Sequence, residues 1–278
     1  MIVNAISIDV EDYFHPSEVQ STAGPLDWDR LPSRVEASTG RCLDLLARHN
    51  TRGTFFVLGW VAEKFPSLVR SIAAAGHEIA CHSYAHQLVY DLGRDRFRAD
   101  TDRAVKAIAD AAGVMPRGYR APSYSVTTRS LWALDVLAEL GFRYDSSIYP
   151  VRHDRYGIPG FSRSAQPVET GAGTLLEIPP ATVQLSASRT APVGGGGYLR
   201  LLPFAYTAAG IRRMNHVDRI PACIYFHPWE IDTGAPRMAS GPLARLRTYF
   251  GLGGMEKKLD RLLSSFRFGA IADVFPVN

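Results

Sequence analysis

The chain has 278 residues, of which 46% are hydrophobic and 21% charged, and this composition is ordinary for a soluble globular protein. Its length suits one α/β barrel or two modest domains. The formal net charge is +4, but the lysines and arginines are scattered and never form a dense run, so the sequence does not predict a nucleic-acid partner.

The N-terminal segment and the cysteines indicate the cellular compartment of the protein. Residues 1–9 show neither the basic and apolar regions nor the cleavage site of a signal peptide, and no apolar run approaches membrane-spanning length. Cys42, Cys81 and Cys223 are odd in number and widely spaced, which is typical of reduced core residues. We therefore expect a cytoplasmic protein without a transmembrane segment.

Short β-rich runs alternate with longer helical patterns over the first half. The predicted strands are residues 2–8, 53–58, 78–81, 118–120 and 142–145. The predicted helices are residues 31–49, 61–75, 94–112 and 127–140. Gly76, Gly113 and Gly141 follow three of these helices, where a left-handed cap is expected. This alternation predicts βαβ units and a parallel sheet.

The second half is less regular. Residues 151–220 are rich in Gly, Pro and Ser, include the tract 194–197, and predict a long insertion folded over the sheet. Its expected β-hairpin pieces are residues 167–170 and 175–178. Further on, the predicted elements are a strand at 222–226, helices near 242–250 and 255–265, and a last strand at 270–274. We expect one domain over 1–278, with a core of 1–230 and a helical extension of 231–278.

Polar residues lie at the ends of five predicted strands: Asp9, His82, Arg120, Asp145 and His227. The carboxyl ends of parallel strands form the catalytic face of an α/β barrel, so these side chains should converge on one cleft. Each also has a structural interpretation. Asp145, for example, could simply cap a turn with the two serines that follow it.

Two histidines and an acidic run suggest a metal site. His82 and His86 are four residues apart, a spacing that places both on one face of a helical turn. Eight histidines placed at random would give roughly 0.2 such pairs, so the pair alone is weak. A carboxylate from residues 9–12 would complete a two-His, one-carboxylate site with open positions. With the acidic run included, a metal site is favoured over a surface pair.

The ordered set of motifs resembles the NodB-type polysaccharide deacetylases of carbohydrate esterase family 4. The four motifs are Asp9-Val10-Glu11-Asp12, His82-Ser83-Tyr84-Ala85-His86, Arg120-Ala121-Pro122 and Ile224-Tyr225-Phe226-His227. Their order and spacing fit over residues 1–230. The phrases at 9–15, 195–203 and 226–230 are similar to a narrower branch, associated with exopolysaccharide loci in bacteria that have an exosortase (PEP-CTERM) sorting system.

This resemblance implies an α/β fold, a distorted (β/α) barrel, that hydrolyses N-acetyl groups of amino sugars. The roles it implies are a general base at Asp9, an arginine at Arg120 that orients the base, and an acid at His227 that protonates the leaving amine. His82, His86 and one carboxylate would hold a divalent metal, expected to be Zn²⁺. The third ligand is Glu11 or Asp12, with Glu11 favoured because it shares a strand face with Asp9. Asp145 matches a fourth motif loosely, as a partner of His227.

The predicted substrate-binding residues are Ser123, Tyr124, Tyr198 and Trp229. Backbone N–H groups near Ser123 would stabilise an oxyanion. The expected partner is a carbohydrate, either an N-acetylated amino sugar polymer or a lipid-linked precursor at the inner membrane surface. The basic, partly amphipathic stretch 243–266 suggests peripheral membrane contact, with an ordinary packed helix pair as the alternative.

Other classes of function remain as alternatives. Non-haem Fe(II) oxygenases use the same ligand types, but they typically have antiparallel double-sheet folds, which the helix–strand alternation argues against. A barrel that binds carbohydrate without catalysis would be expected to lack the base or the acid, yet Asp9 and His227 are both present. A hydrolase of a small or cyclic amide is the closest alternative.

Overall fold

The computed structural model describes residues 2–23, 26–186 and 189–277. The strands are β1 (Asn4–Val10), β2 (Thr54–Val57), β3 (Glu78–Cys81), β4 (Gly118–Tyr119), β5 (Tyr144–Asp145), β6 (Gln166–Thr170), β7 (Gly173–Glu177), β8 (Thr182–Ser186), β9 (Arg189–Pro192), β10 (Cys223–Phe226) and β11 (Phe268–Gly269). The helices are α1 (Ser17–Ala23), α2 (Val35–Arg48), α3 (Gly59–Lys64), α4 (Pro66–Ala74), α5 (Val89–Leu92), α6 (Arg94–Ala112), α7 (Trp132–Glu139), α8 (Gly196–Leu201), α9 (Phe204–Arg213), α10 (Pro242–Tyr249), α11 (Leu252–Ser265) and α12 (Ile271–Val274).

The main sheet follows the order β10-β1-β2-β3-β4-β5-β7-β6, with β11 beside β1. Neighbouring strands from β10 to β7 pair in parallel, and the β6–β7 hairpin adds an antiparallel edge. A backbone hydrogen bond from Ala181 N to Cys223 O (2.9 Å) joins the segment after β7 to β10. The two ends of the sheet therefore approach each other, as in a distorted (β/α) barrel.

Strand β1 lies between β10 and β2 in this sheet, and all seven of its residues are buried. Side chains alternate along a strand, so Ile6, Ile8 and Val10 lie on one face and pack in the large core cluster with the helices. Ser7 and Asp9 lie on the other face, inside the barrel, where both contact Arg120. The strand reaches Val10, two residues beyond its predicted end, so Asp9 is the last inward-facing residue of the strand.

The predicted helix 61–75 is wrong as a single element, because it divides into α3 and α4 around Phe65. Pro66 lacks a backbone N–H and occupies the first position of α4, where none is needed, so a new helix begins there. The hairpin predicted in the insertion exists as β6–β7. It extends the sheet beyond β5 instead of folding over it, and a second hairpin, β8–β9, was not predicted.

The predicted last strand at 270–274 is also wrong, because those residues form α12 after the short strand β11. Gly269 pairs with Ala5 on one edge of β1. Strand β2 pairs with the same edge and begins two residues later, at Ser7. Thr54 of β2 thus occupies the position that β11 would need in order to continue. The Ile271 N–H donates to Thr54 Oγ1 at 2.7 Å, and the chain turns into a helix there.

Candidate active site

A buried ion pair lies inside the barrel between β4 and β1. Arg120 Nη1 donates to Asp9 Oδ1 at 2.6 Å and to Ser7 Oγ at 2.8 Å. Its Nη2 donates to Ser146 Oγ at 3.0 Å, and the guanidinium stacks over the ring of Phe56 at 4.0 Å. These contacts fix the arginine from several sides. They also hold one oxygen of Asp9 and leave Oδ2 facing the cleft.

Three ligand-type side chains converge beside this pair. Glu11 Oε1 lies 3.2 Å from His82 Nε2 and 3.0 Å from His86 Nε2, and all three residues are buried. His82 Nδ1 contacts the carbonyl oxygen of Arg120 at 2.7 Å, a contact that requires Nδ1 to donate. With Nδ1 engaged in this way, Nε2 is the nitrogen that would give its lone pair to a metal, in place of the proton that it shares with Glu11. The cluster therefore fits a divalent metal ion.

The charged groups of this cluster change the pKa of the Glu11 carboxyl. Burial alone would raise the pKa of the Glu11 carboxyl, but the neighbouring His86 and His227 and the hydrogen bonds from His82 and His86 outweigh it. The pKa of Glu11 is held well below its usual range. Glu11 is therefore ionised at neutral pH, as a metal-ligating carboxylate must be.

The two histidines come together through a loop, and not through the predicted helical turn. Residues 82–86 form a loop after β3, in which Ser83 and His86 have positive φ angles of 65° and 51°. Asp100 on α6 accepts hydrogen bonds from the backbone N–H groups of Tyr84 (2.8 Å) and Ala85 (3.2 Å). This carboxylate holds the loop in a shape that directs both imidazoles to Glu11.

Asp12 was predicted as an alternative ligand, and the structure directs it elsewhere. Its Oδ2 accepts hydrogen bonds from the backbone N–H groups of Arg34 (2.8 Å) and Val35 (3.1 Å) and from Ser33 Oγ (2.5 Å). Those N–H groups belong to the start of α2, which needs acceptors for its first unpaired donors. Glu11, and not Asp12, is thus the carboxylate that reaches the imidazoles.

His227 follows β10 and faces the cluster from the other side. Its Nε2 lies 3.8 Å from Asp9 Oδ2 and 3.7 Å from Glu11 Oε1. Its Nδ1 lies 2.9 Å from Glu230 Oε2, and Glu230 in turn forms a buried ion pair with Arg200 of α8. Burial would lower the pKa of His227, but the carboxylates of Glu11, Glu230 and Asp9 raise it to about 9. A cation held by Glu11 would offset part of that shift.

Asp145 was predicted as the partner of His227, but the structure places Glu230 in that position. Asp145 is paired on the neighbouring strand with Glu177, and burial raises the pKa of both carboxyls. Its Oδ1 accepts from Ser147 Oγ at 2.5 Å, and Ser147 Oγ accepts from the Ala121 N–H at 2.8 Å. Asp145 therefore supports the loop that carries Arg120 and lies behind the cleft.

The cleft above the cluster has a volume of about 420 Å³ and contains all four predicted substrate-binding residues. Ser123 Oγ hydrogen-bonds Ser17 Oγ at 2.7 Å, and Tyr198 OH hydrogen-bonds Tyr156 OH at 3.1 Å. The Trp229 ring stacks on His227 with centroids 5.4 Å apart. Other residues that line the cleft are Glu18, His153, Arg155, Tyr156, Tyr225 and Arg247.

Sequence reasoning missed the role of Glu230. The signal was present, because a proline opens the short helix Pro228–Ile231 and Glu230 stands three residues after His227, the spacing of a capping box. Nothing local in the sequence points from Arg200 to Glu230, which lies thirty residues away.

Known proteins match the chain in two parts. Residues 24–144 match the family model described as polysaccharide deacetylase, and residues 146–276 match a domain of unknown function, DUF3473. The chain is 36% identical over 98 residues to the peptidoglycan-N-acetylglucosamine deacetylase of Bacillus cereus, covering 35% of this chain and 36% of that enzyme. It is 34% identical over 132 residues to the chitooligosaccharide deacetylase of Sinorhizobium fredii, covering 45% and 57% respectively. The chain thus spans about a third of the length of the first relative and somewhat more than half of the length of the second.

Among solved structures, the allantoinase PuuE aligns with 98% of this chain and 88% of its own, with a TM-score of 0.66 and 14% identity. A likeness at this identity concerns the fold alone, which is the (β/α) barrel type described above. The histidine motif and Arg120 lie within the matched residues 24–144. Together with the order of the motifs, that match shows a polysaccharide deacetylase domain over residues 24–144 of the chain.

Proposed function

We propose that the protein is a metal-dependent hydrolase that removes N-acetyl groups from amino sugars. One observation carries the proposal: the carboxylate of Asp9 and the imidazole of His227 face each other at 3.8 Å beside the Glu11–His82–His86 cluster. This arrangement offers a proton acceptor and a proton donor on either side of one reaction centre. The names of the two curated relatives support the same chemistry.

Asp9 is suited to act as the general base. Its Oδ1 is bound to Arg120, and its Oδ2 is free to accept a proton from the attacking water. The Arg120 guanidinium acts by orienting Asp9, and the backbone carbonyl of Arg120 holds the His82 ring. The Asp9–Arg120 pair is buried, so its geometry changes little as the substrate arrives.

The metal cluster and the acid complete the site. Glu11, His82 and His86 would hold a divalent metal, which we propose to be Zn²⁺ from the two imidazoles and one carboxylate, and which would supply the Lewis acidity to activate water and polarise the acetyl carbonyl. His227 donates a proton from Nε2 to the departing nitrogen, because its Nδ1 is engaged by Glu230. An amine is a poor leaving group, so this proton transfer is needed for the C–N bond to break.

The rim next to Arg120 supplies a candidate oxyanion donor. Ser123 and Tyr124 both have left-handed backbone conformations, with φ angles of 50° and 54°. The Tyr124 N–H already donates to the Ala121 carbonyl at 3.1 Å, so we assign the oxyanion contact to the Ser123 N–H. The Tyr124, Tyr198 and Trp229 side chains give the cleft aromatic walls, which suit the apolar faces of a sugar ring.

The natural substrate in this proposal is an N-acetylated amino sugar polymer of exopolysaccharide biosynthesis, or its lipid-linked precursor, handled in the cytoplasm. Cys42, Cys81 and Cys223 are all free and buried, which suits a reducing compartment. Across the described residues, no helix is long and apolar enough to cross a membrane. The two matched segments act as one unit in this reaction, because His227 comes from the second and His82 from the first.

Acetate release from a small panel tests the proposal. The zinc-loaded protein should release acetate from N-acetylglucosamine oligomers or exopolysaccharide precursors. It should act poorly on a cyclic amide such as allantoin, the alternative that the allantoinase fold raises. Hydrolysis of the cyclic amide alone would replace the proposed function with that alternative. Carbohydrate binding without any hydrolysis would indicate a non-catalytic barrel.

Glu230→Gln is expected to slow amide hydrolysis on the order of 10-fold or more, because it removes the charge that holds the His227 proton in place. A nitrophenyl acetate ester needs no proton on its leaving group, so its hydrolysis should change much less. The matched control is Glu169→Gln on the exposed strand β6. Equal losses on both substrates would show that Glu230 is merely structural.

A further inference from the structure

Helix α10 presents its apolar residues to solvent instead of to the core. Leu243 is 59% exposed, Leu246 50%, and Phe250, directly after the helix, 56%. Their spacing of three and four residues places them on one side of the helix. A helix of a globular protein normally turns such a stripe inward, so this outward stripe suits contact with an external apolar environment.

Basic residues border the stripe. Successive helical residues are about 100° apart, so Leu243 and Leu246 lie between Arg245 and Arg247 around the helix. Arg237 lies close by, with its guanidinium over the Tyr249 ring at 5.5 Å. Residues 234–255 contain these three arginines and no aspartate or glutamate. The surface is therefore apolar along its centre and positive at its margins.

The next helix behaves differently, although the sequence joined both in one amphipathic stretch. Helix α11 buries Met255, Leu259, Leu262 and Leu263, so it packs as an ordinary core helix. Helix α10 buries only Thr248 among its described residues. The interpretation of residues 243–266 as packed helices thus holds for α11, whereas the apolar side chains of α10 are exposed.

Helix α10 also borders the mouth of the cleft. Arg247 and Thr248 line the cleft itself, and a second cavity of about 320 Å³ lies alongside, bordered by Arg155, Arg247 and Leu243. The carbonyl oxygen of Arg247 accepts a hydrogen bond from Arg200 Nη2 at 2.7 Å. A surface that bound α10 would therefore lie at the entrance to the site.

We propose that α10 docks on an anionic lipid bilayer, with Leu243, Leu246 and Phe250 inserted below the headgroups. Arg237, Arg245 and Arg247 would lie at the level of the phosphates. A second copy of the chain is a poorer occupant, because a two-fold contact would bring like charges together. Three side chains also offer far less than the roughly 800 Å² per partner of a stable interface. This inference goes beyond the proposed function, and its test needs no substrate.

The test is co-sedimentation of the full chain with vesicles made of phosphatidylcholine alone or of equal parts phosphatidylcholine and phosphatidylglycerol. Wild type should bind the anionic vesicles, and Leu243→Ser/Leu246→Ser should bind them at least about tenfold more weakly. Arg237→Gln/Arg245→Gln should reduce the preference for phosphatidylglycerol. The control is Val114→Ser/Met115→Ser, a pair 55% and 64% exposed near the amino end of β4, on the opposite side of the barrel from the cleft.

Thermal unfolding of each variant checks that it is folded. Two results would overturn the proposal: wild type that does not sediment with anionic vesicles, or a leucine variant that binds them as tightly as the control. Light scattering provides a third. If wild type forms a dimer that Leu243→Ser/Leu246→Ser abolishes, the stripe is an interface between copies of the chain.

Discussion

Asp9→Asn is expected to lower the rate of acetate release about 100-fold to 10,000-fold, the usual contribution of a general base. Asparagine keeps the shape of the side chain and can still accept the hydrogen bond from Arg120 Nη1. It cannot take up the proton of the attacking water. The cluster of Glu11, His82 and His86 does not include Asp9, so the variant should retain its metal.

Acetate release and metal content, measured on the same preparation, check this result. Asp44→Asn on the exposed side of α2 is the matched control and should behave as wild type. A full rate in Asp9→Asn would show that another group is the base. Loss of the metal together with the rate would mean that Asp9 is itself a ligand.

Substitutions of the adjacent carboxylates Glu11 and Asp12 are expected to have different effects. Glu11→Gln should weaken zinc binding by more than about 100-fold, because replacing an orienting residue outside the ligand set already costs about 10-fold to 100-fold. Deacetylation should be lost with the metal. Asp12→Asn should retain the metal and instead lose about 1 kcal/mol of unfolding free energy, since its carboxylate caps α2.

Calorimetric zinc titration and chemical denaturation of both variants measure these effects. The pair is its own control, since each variant removes one negative charge within two adjacent residues. If Asp12→Asn released the metal and Glu11→Gln kept it, the assignment of the third ligand would be reversed.

The sequence was sufficient to predict which side chains meet in the cleft where a residue's position follows from its place on a strand. Asp9, Arg120 and His227 lie at or near the carboxyl ends of β1, β4 and β10, and the curving of the parallel sheet into a barrel brings them together. The histidine pair was identified for its spacing, but the predicted helical turn was wrong. Contacts from Asp100 on a distant helix shape that loop, and no local pattern encodes them.

Where two acidic residues were candidates for one position, tertiary contacts determine which of them occupies it. Glu11 and Asp12 are adjacent, and the arrival of α2 beside Asp12 separates their functions. Asp145 was the predicted partner of His227, but Glu230 takes that position. Pairing of β5 with β7 commits Asp145 to Glu177, and the short turn after β10 brings Glu230 to the imidazole. Strand β11 likewise ended early because β2 occupied its edge.

Zinc titration of metal-free protein, followed by acetate release from an N-acetylglucosamine oligomer, tests the central claim most directly. The claim is that one metal ion, held by Glu11, His82 and His86, makes this cleft a deacetylase. Acetate release should rise in proportion to zinc and level off at one ion per chain, and Glu11→Gln should show no such rise over the same range. Acetate release by the metal-free protein at the full rate, or no release at any zinc content, would contradict the claim.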